Sequence, residues 1–149
     1  MIKEAKYLRK GRHLHYFAEK LFVLARSEFP SSIAAIVPVP LHRKRQWNRT
    51  FNQAELLAHG IARLWGVPVW KALQKTKVTL PQSSLAGTVR RLNLQNTFRF
   101  VSRRRTFKSV LLVDDVITTG STLRECARVL KRNGVRRVYA VTIARAELR

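Results

Sequence analysis

Apolar positions along this chain change their period several times, and each change marks an element. Leu14, Phe17, Ala18, Leu21 and Ala25 recur at three- and four-residue steps. That spacing predicts a helical region over residues 3–28, with a break near Gly11 and an end at Pro30. Residues 33–39 form a short apolar strand, whose end Pro38 and Pro40 confine to an edge or a switch into loop. A basic loop follows over residues 41–48. Asn52, Gln53, Ala54 and Glu55 then have the spacing of a capping box. The helix behind them presents Ala54, Leu57, Ala58, Ile61, Ala62 and Trp65 on one face, and Gly66 and Pro68 end it. Residues 67–73 read as the next strand. Residues 74–95 mix Pro, Gly, Ser, Thr and Asn with little periodicity, the pattern of a lid or mobile hairpin. Residues 97–101 suit a short strand, and Arg103, Arg104 and Arg105 a charged turn.

The sharpest unit comes last. A strand over residues 109–114, a helix over 122–133 and a strand over 138–143 make a βαβ unit with parallel strands and a right-handed crossover. Thr122 and Glu125 have capping-box spacing. Leu123, Cys126, Ala127 and Leu130 form the apolar face, and Gly134 closes the helix. Together these elements predict an α/β fold, organised as one domain over residues 1–149 with a helical region (1–30) and an α/β core (31–149).

Composition narrows the possibilities. Hydrophobic residues make up 46% of the 149, enough for a packed core. No apolar run approaches the roughly 20 residues that cross a bilayer, so membrane insertion is not expected. No apolar signal core precedes a small-residue cleavage site, so the expected location is the cytoplasm. Cys126 is the sole cysteine; it excludes an intrachain disulfide or a cysteine metal cluster and reads as a buried, inert thiol. Thirty Lys and Arg against eight Asp and Glu give a formal charge of +22, which attracts polyanions and phosphorylated small molecules.

Two of the eight acidic residues, Asp114 and Asp115, stand side by side where a doubly buried strand ends. Neighbouring like charges at a strand end cost energy unless something compensates. Vicinal hydroxyls of a polyol would do so by donating to the carboxylates. Thr118, Thr119, Ser121 and Thr122 then supply hydroxyls, and Gly120 permits a positive φ and a close backbone approach. Their amides precede a helix N-terminus, which favours an anion. Hydroxyls at one end and a phosphate at the other describe a ribose 5-phosphate. Neither GxxxxGK nor GxGxxG occurs.

The run from Val110 to Thr122 resembles the phosphoribosyl-pyrophosphate (PRPP) signature of type I phosphoribosyltransferases. Val37, Pro38, Val39, Pro40, Leu41, His42, Arg43, Lys44 and Arg45, followed by Phe51, Asn52, Gln53, Ala54 and Glu55, are similar to the competence protein F (ComF/GntX) family. Lys75, Thr79, Gln82, Leu85, Arg91 and Asn93 are similar to that family's lid. Thr50 stands where the family usually has Gly. The resemblance implies a type I phosphoribosyltransferase fold, a mostly parallel sheet flanked by helices with a flexible lid loop. It implies that Asp114 and Asp115 hold ribose hydroxyls and that Thr118, Thr119, Gly120, Ser121 and Thr122 hold the 5-phosphate. Leu41, His42, Arg43 and Lys44 would form the pyrophosphate loop, and Lys75, Gln82 and Arg91 would belong to the lid. Mg²⁺ would arrive with PRPP rather than in a protein cage. The family's usual N-terminal zinc finger is missing from this sequence, so no zinc is expected.

Two functions follow. One is a protein of DNA uptake or external DNA use that binds PRPP or a nucleotide-like phosphosugar. Single-stranded DNA and other DNA-uptake proteins are its expected partners. Arg45, Trp47 and Arg49 are the candidate DNA contacts, since aromatics among cations stack bases. The other is an active transferase that moves a phosphoribosyl group from PRPP to a nitrogen base or amine.

Overall fold

Two apolar runs meet as neighbouring parallel strands and set the centre of the fold. The computed structural model describes residues 2–41, 52–76, 97–103 and 106–146, with side chains from residue 13 onward. The elements in chain order are helix α1 (Ile2–Glu28), strand β1 (Ala35–Pro38), helix α2 (Gln53–Trp65), strands β2 (Leu73–Lys75), β3 (Phe98–Phe100) and β4 (Ser109–Ile117), helix α3 (Ser121–Arg132) and strand β5 (Arg137–Arg145). A parallel sheet has the order β1-β4-β5, and β2 pairs with β3 as an antiparallel hairpin.

Alternation along the central strand makes two cores. Val110 and Leu112 pack with Trp70, Phe98, Cys126 and Leu130, on the side of α3 and the hairpin. Leu111 and Val113 pack with Leu21, Ala25, Leu57 and Ile61, on the side of α1 and α2. All four β4 residues are fully buried. Each contributes of order 1.5–3 kcal/mol relative to an exposed side chain. The chain therefore leaves β1 to one face and β4 to the other. Ligand crevices form at such switch points, beyond the carboxyl ends of the strands.

Several elements differ from the sequence expectation. Helix α1 runs through Gly11 unbroken, because one glycine among good helix formers costs only about 1 kcal/mol. The strand expected over residues 67–73 is replaced by an isolated bridge from Val69 to Ile36, and regular pairing begins only at Leu73. The Ala72 N–H donates to the Trp70 carbonyl at 2.9 Å, a tight turn that swings the chain off β1. Strand β4 extends to Ile117 rather than ending at Asp114, since β5 continues beside it to Arg145.

Neither expected capping box forms as written. Asn52 does cap α2: its Oδ1 accepts from the Ala54 N–H at 3.1 Å, and its Nδ2 donates to the Val39 carbonyl at 3.2 Å. Glu55, however, turns to Lys71. Helix α3 starts one residue earlier than expected, behind Gly120, with no side-chain cap. Glu125 binds Arg128 through bonds of 2.8 and 2.6 Å instead.

Helices α1 and α2 touch backbone-close at Gly60. A Cβ there would lie 2.6 Å from the Ala18 Cβ. Gly60→Ala is expected to destabilise the fold by about 1–2 kcal/mol despite its better helix propensity, because overpacking outweighs propensity. Ala18→Gly in that background should recover part of the loss. Urea unfolding of the single and double variants checks both; additive losses would mean that the two positions do not meet.

Candidate functional site

The site begins where β1 leaves the sheet. Pro38 lies level with Val113, and the Val39 N–H makes a last bond to the Val113 carbonyl at 2.9 Å. Beyond that point, among the described residues, β4 pairs only with β5, with Asp114 opposite Thr142 and Ile117 opposite Arg145. Asp114 and Asp115 thus occupy a strand edge opened by the early end of β1, not a loop after the strand.

Pleating alternates the two positions, yet their side chains stay within hydrogen-bonding reach of one another. Asp114 follows Val110 and Leu112 toward α3, where its charge acts on Cys126. Asp115 follows Leu111 and Val113. Each carboxylate accepts from the next backbone amide: the Asp115 N–H donates to Asp114 Oδ1 at 2.9 Å and the Val116 N–H to Asp115 Oδ1 at 2.8 Å. An ionised carboxylate has about four acceptor positions, so one such bond leaves capacity for ligand hydroxyls.

Asp114 titrates far from an ordinary aspartate. Its pKa is pushed up to about 7 in all: burial raises it most, the amide bond from Asp115 opposes this, and the charge and side-chain hydrogen bond of Asp115 raise it again. Lys75, at the end of β2, lowers it. The same burial, with Asp114 and Glu125 nearby, drives the Cys126 thiol well above its usual range. Cys126 is fully buried and stays a protonated, inert thiol, as expected.

The bend behind the carboxylates is held by its own side chains. Gly120 has φ 74° and ψ 4°, a left-handed conformation that favours glycine. Thr119 Oγ1 and Ser121 Oγ share a hydrogen bond of 2.8 Å. Arg124 reaches back one turn and its Nη2 donates to the Thr119 carbonyl at 3.0 Å. A cavity of about 230 Å³ opens here, lined by Asp114, Ile117, Thr118, Gly120, Ser121 and Thr122 among others. The sequence-predicted ribose and phosphate residues other than Asp115 and Thr119 therefore line one pocket.

Other expected residues fall differently. Leu41 and Lys75 are described. Leu41 lines a second cavity of about 200 Å³ beside the carboxyl end of β1, with Asn52, Glu55 and Lys71. Lys75 sits on regular strand, with its Nζ 5.6 Å from the Phe98 ring centroid. His42, Arg43, Lys44, Arg45, Trp47, Arg49, Gln82 and Arg91 lie outside the described residues. Sequence reasoning missed Arg124 as the brace of the bend, although its position one helical turn after Gly120 is a usable signal. It also missed the approach of Lys75 to Asp114, which comes from β2 and has no local signature.

Among the described residues, no group of three His, Cys, Asp or Glu side chains could hold a metal ion. The donors in the pocket are all oxygens, which suits Mg²⁺ arriving on a phosphorylated ligand and completing its shell with water.

The sequence matches the Phosphoribosyl transferase domain family over residues 71–147, which contain this carboxylate pair and bend. The chain belongs to that family. This phosphoribosyl transferase domain is 42% identical over 115 residues to competence protein F of Haemophilus influenzae, covering 75% of this chain and 50% of that protein. It is 40% identical over 115 residues to DNA utilization protein YhgH of Escherichia coli K12, covering 74% and 48%. Competence protein ComFC of Bacillus subtilis is 30% identical over 106 residues, covering 71% and 42%. The ComF-family resemblance read from the sequence therefore holds, and the chain spans about half the length of the curated relatives it matches. Among solved structures, the glutamine PRPP amidotransferase from B. subtilis, complexed with ADP and GMP, superposes with a TM-score of 0.55 at 18% identity. The match covers 87% of this chain and 26% of that one. The domain thus has the type I phosphoribosyltransferase fold, a mostly parallel sheet flanked by helices.

Protonation of Asp114 has a sign for stability. Its folded pKa lies above the ordinary value of 3.8, so between about pH 4 and 7 the folded state binds more protons than the unfolded one. Stability from this group falls as pH rises through that window. Asp114→Asn should therefore raise the melting temperature at pH 8 and leave it nearly unchanged at pH 4. Thermal melts across pH check this; an equal shift at both ends would mean that the carboxyl is not destabilised by burial.

Proposed function

We propose that this domain binds PRPP or a related ribose phosphate, together with Mg²⁺, and acts in the uptake or use of external DNA in the cytoplasm. The observation that carries the reading is the cavity bounded by Asp114 at one end and by the Thr118-to-Thr122 bend at the other. Asp114, aided by Asp115, accepts the ribose 2- and 3-hydroxyls. The hydroxyls and amides of the bend, at the N-terminus of α3, take the 5-phosphate. Mg²⁺ supplies charge neutralisation on the diphosphate. The DNA role draws on the names of the relatives, competence protein F and DNA utilization protein. Among the described residues no helix is long and apolar enough to cross a membrane.

A transferase reading has its own support in the second cavity beside β1, which offers room for an acceptor next to Leu41. The bond from ribose C1 to diphosphate would break as an acceptor nitrogen attacks C1. The residues around the cavity would fix that geometry and stabilise the departing diphosphate.

Titration calorimetry with PRPP and Mg²⁺ is expected to show binding to the wild type. The double variant Asp114→Asn, Asp115→Asn should weaken it at least tenfold, since each bond to a charged acceptor contributes about 1.5–3 kcal/mol. Unchanged affinity in a folded double variant would remove the site assignment. Pyrophosphate release with a panel of bases and amines separates the transferase from a protein that only binds.

A further inference from the structure

The cations with described side chains fall into two sets. The first set is engaged within the fold. Arg128 binds Glu125, Lys71 pairs with Glu55, and Arg99 donates to Gln74 Oε1. Arg63 meets His15, Arg124 holds the Thr119 carbonyl, and Lys20, Arg26 and Lys75 lie over aromatic rings. The second set has no such partner among the described residues, and five of its members gather in one place. These are Lys108, Lys131, Arg132, Arg136 and Arg137.

Backbone bonds fix this gathering. The N–H groups of Arg136 and Arg137 both donate to the Lys108 carbonyl, at 2.9 and 3.0 Å. The Gly134 N–H donates to the Lys131 carbonyl at 3.2 Å, and a Cβ on Gly134 would lie 3.5 Å from Thr106. The starts of β4 and β5 and the end of α3 therefore form one corner. All five side chains are exposed there. Of the other unpartnered cations, Arg103 belongs to the segment leading into that corner, and Arg145 stands at the far end of β5.

The segments that build the corner carry no acidic residue of their own; from another element Glu28 ends α1 beside Phe29, whose ring centroid lies 5.0 Å from that of Tyr139 on β5. From Leu56 to Val113, and again from Cys126 to Ala146, the sequence has no Asp or Glu. The corner also has no apolar anchor. None of the five cations' described chain neighbours is an exposed large hydrophobic; Tyr16, Val23, Leu24 and Leu56 lie on α1 and α2, and Val101 precedes Arg103. A protein partner or a lipid surface would use an apolar centre. A phosphate backbone needs only fixed cations on a ridge, with a bare glycine where the chain can come close.

We infer that this corner, at the amino ends of β4 and β5, is a docking surface for the phosphate backbone of single-stranded nucleic acid. The inference deepens the DNA part of the function proposed above, and places the docking surface away from the phosphosugar pocket. Five residue steps along β4, from Ser109 to Asp114, separate the two, about 17 Å of strand. A strand held at the corner leaves the pocket free, so the two ligands bind independently. Arg45, Trp47 and Arg49 are not required for this docking.

The test is fluorescence anisotropy with a labelled 20-nucleotide single strand over a range of salt. The charge reversals Lys131→Glu with Arg132→Glu, and Arg136→Glu with Arg137→Glu, should each weaken binding at least tenfold. The salt slope should flatten by about 0.7 for each phosphate that is no longer neutralised. Lys20→Glu with Arg99→Glu makes the same change in net charge elsewhere, and should cost less than threefold. Equal losses in corner and control variants would overturn the inference, because bulk charge would then explain binding. Unchanged binding in the corner variants would also overturn it. So would corner variants that lose affinity for anionic vesicles and keep it for the single strand. Alanine versions of the same pairs and their thermal melts guard against misfolding. PRPP calorimetry on the corner variants should match the wild type. A failure of the pocket reading shows there alone, while a failure of the corner shows only in anisotropy.

Discussion

Everything in this fold hangs on the double burial of Val110, Leu111, Leu112 and Val113 between β1 and β5. One-residue alternation feeds two separate cores, so neither face of the strand can shift register without exposing the other. That rigidity lets the strand project past β1 with its two carboxylates. The early end of β1 and the length of β4 are thus one constraint seen from two sides. Pro38 and Pro40 stop the first strand; continued pairing with β5 carries the second to Ile117.

The site conflicts with stability locally. Asp114 is held where burial disfavours its charge, and Gly120 in a conformation few residues accept. The first is a cost, set directly above the fully buried residues 110–113; the second costs glycine itself nothing but closes the position to other residues. Lys75 and the Asp115 amide relieve part of the first, and Arg124 braces the second. A buried carboxyl outweighed by surrounding packing is common in binding sites, which supports the role proposed for Asp114.

Much of this was legible in the sequence, for a physical reason. The strand and helix of the final unit have uniform periodicity and end in residues with fixed conformational roles, so Ser109 to Gly134 read almost directly. The apolar face of α2 and its stop at Gly66, where φ is 75°, were equally plain. Errors came where tertiary partners decide the outcome. Glu55 and Glu125 had the right spacing for caps, but nearby Lys71 and Arg128 offered better partners. The segment from Val67 to Leu73 is apolar enough for a strand, yet the turn at Trp70 to Ala72 is a property of packing. Arg124 and Lys75 belong to the site through geometry, and spacing alone hints only at Arg124.

Trp70 carries a consequence of its own. Its ring is enclosed by Phe100 and Phe107, with centroids 5.7 and 5.2 Å away, and its indole N–H donates to Ser102 Oγ at 2.9 Å. The hairpin that it anchors is the same one that brings the Lys75 charge close enough to act on Asp114. Indole emission depends on local polarity and hydrogen bonding, so this buried ring is a built-in optical gauge of whether the hairpin's base is seated. Movements of the strand that carries Lys75 can thereby be followed without attaching a dye.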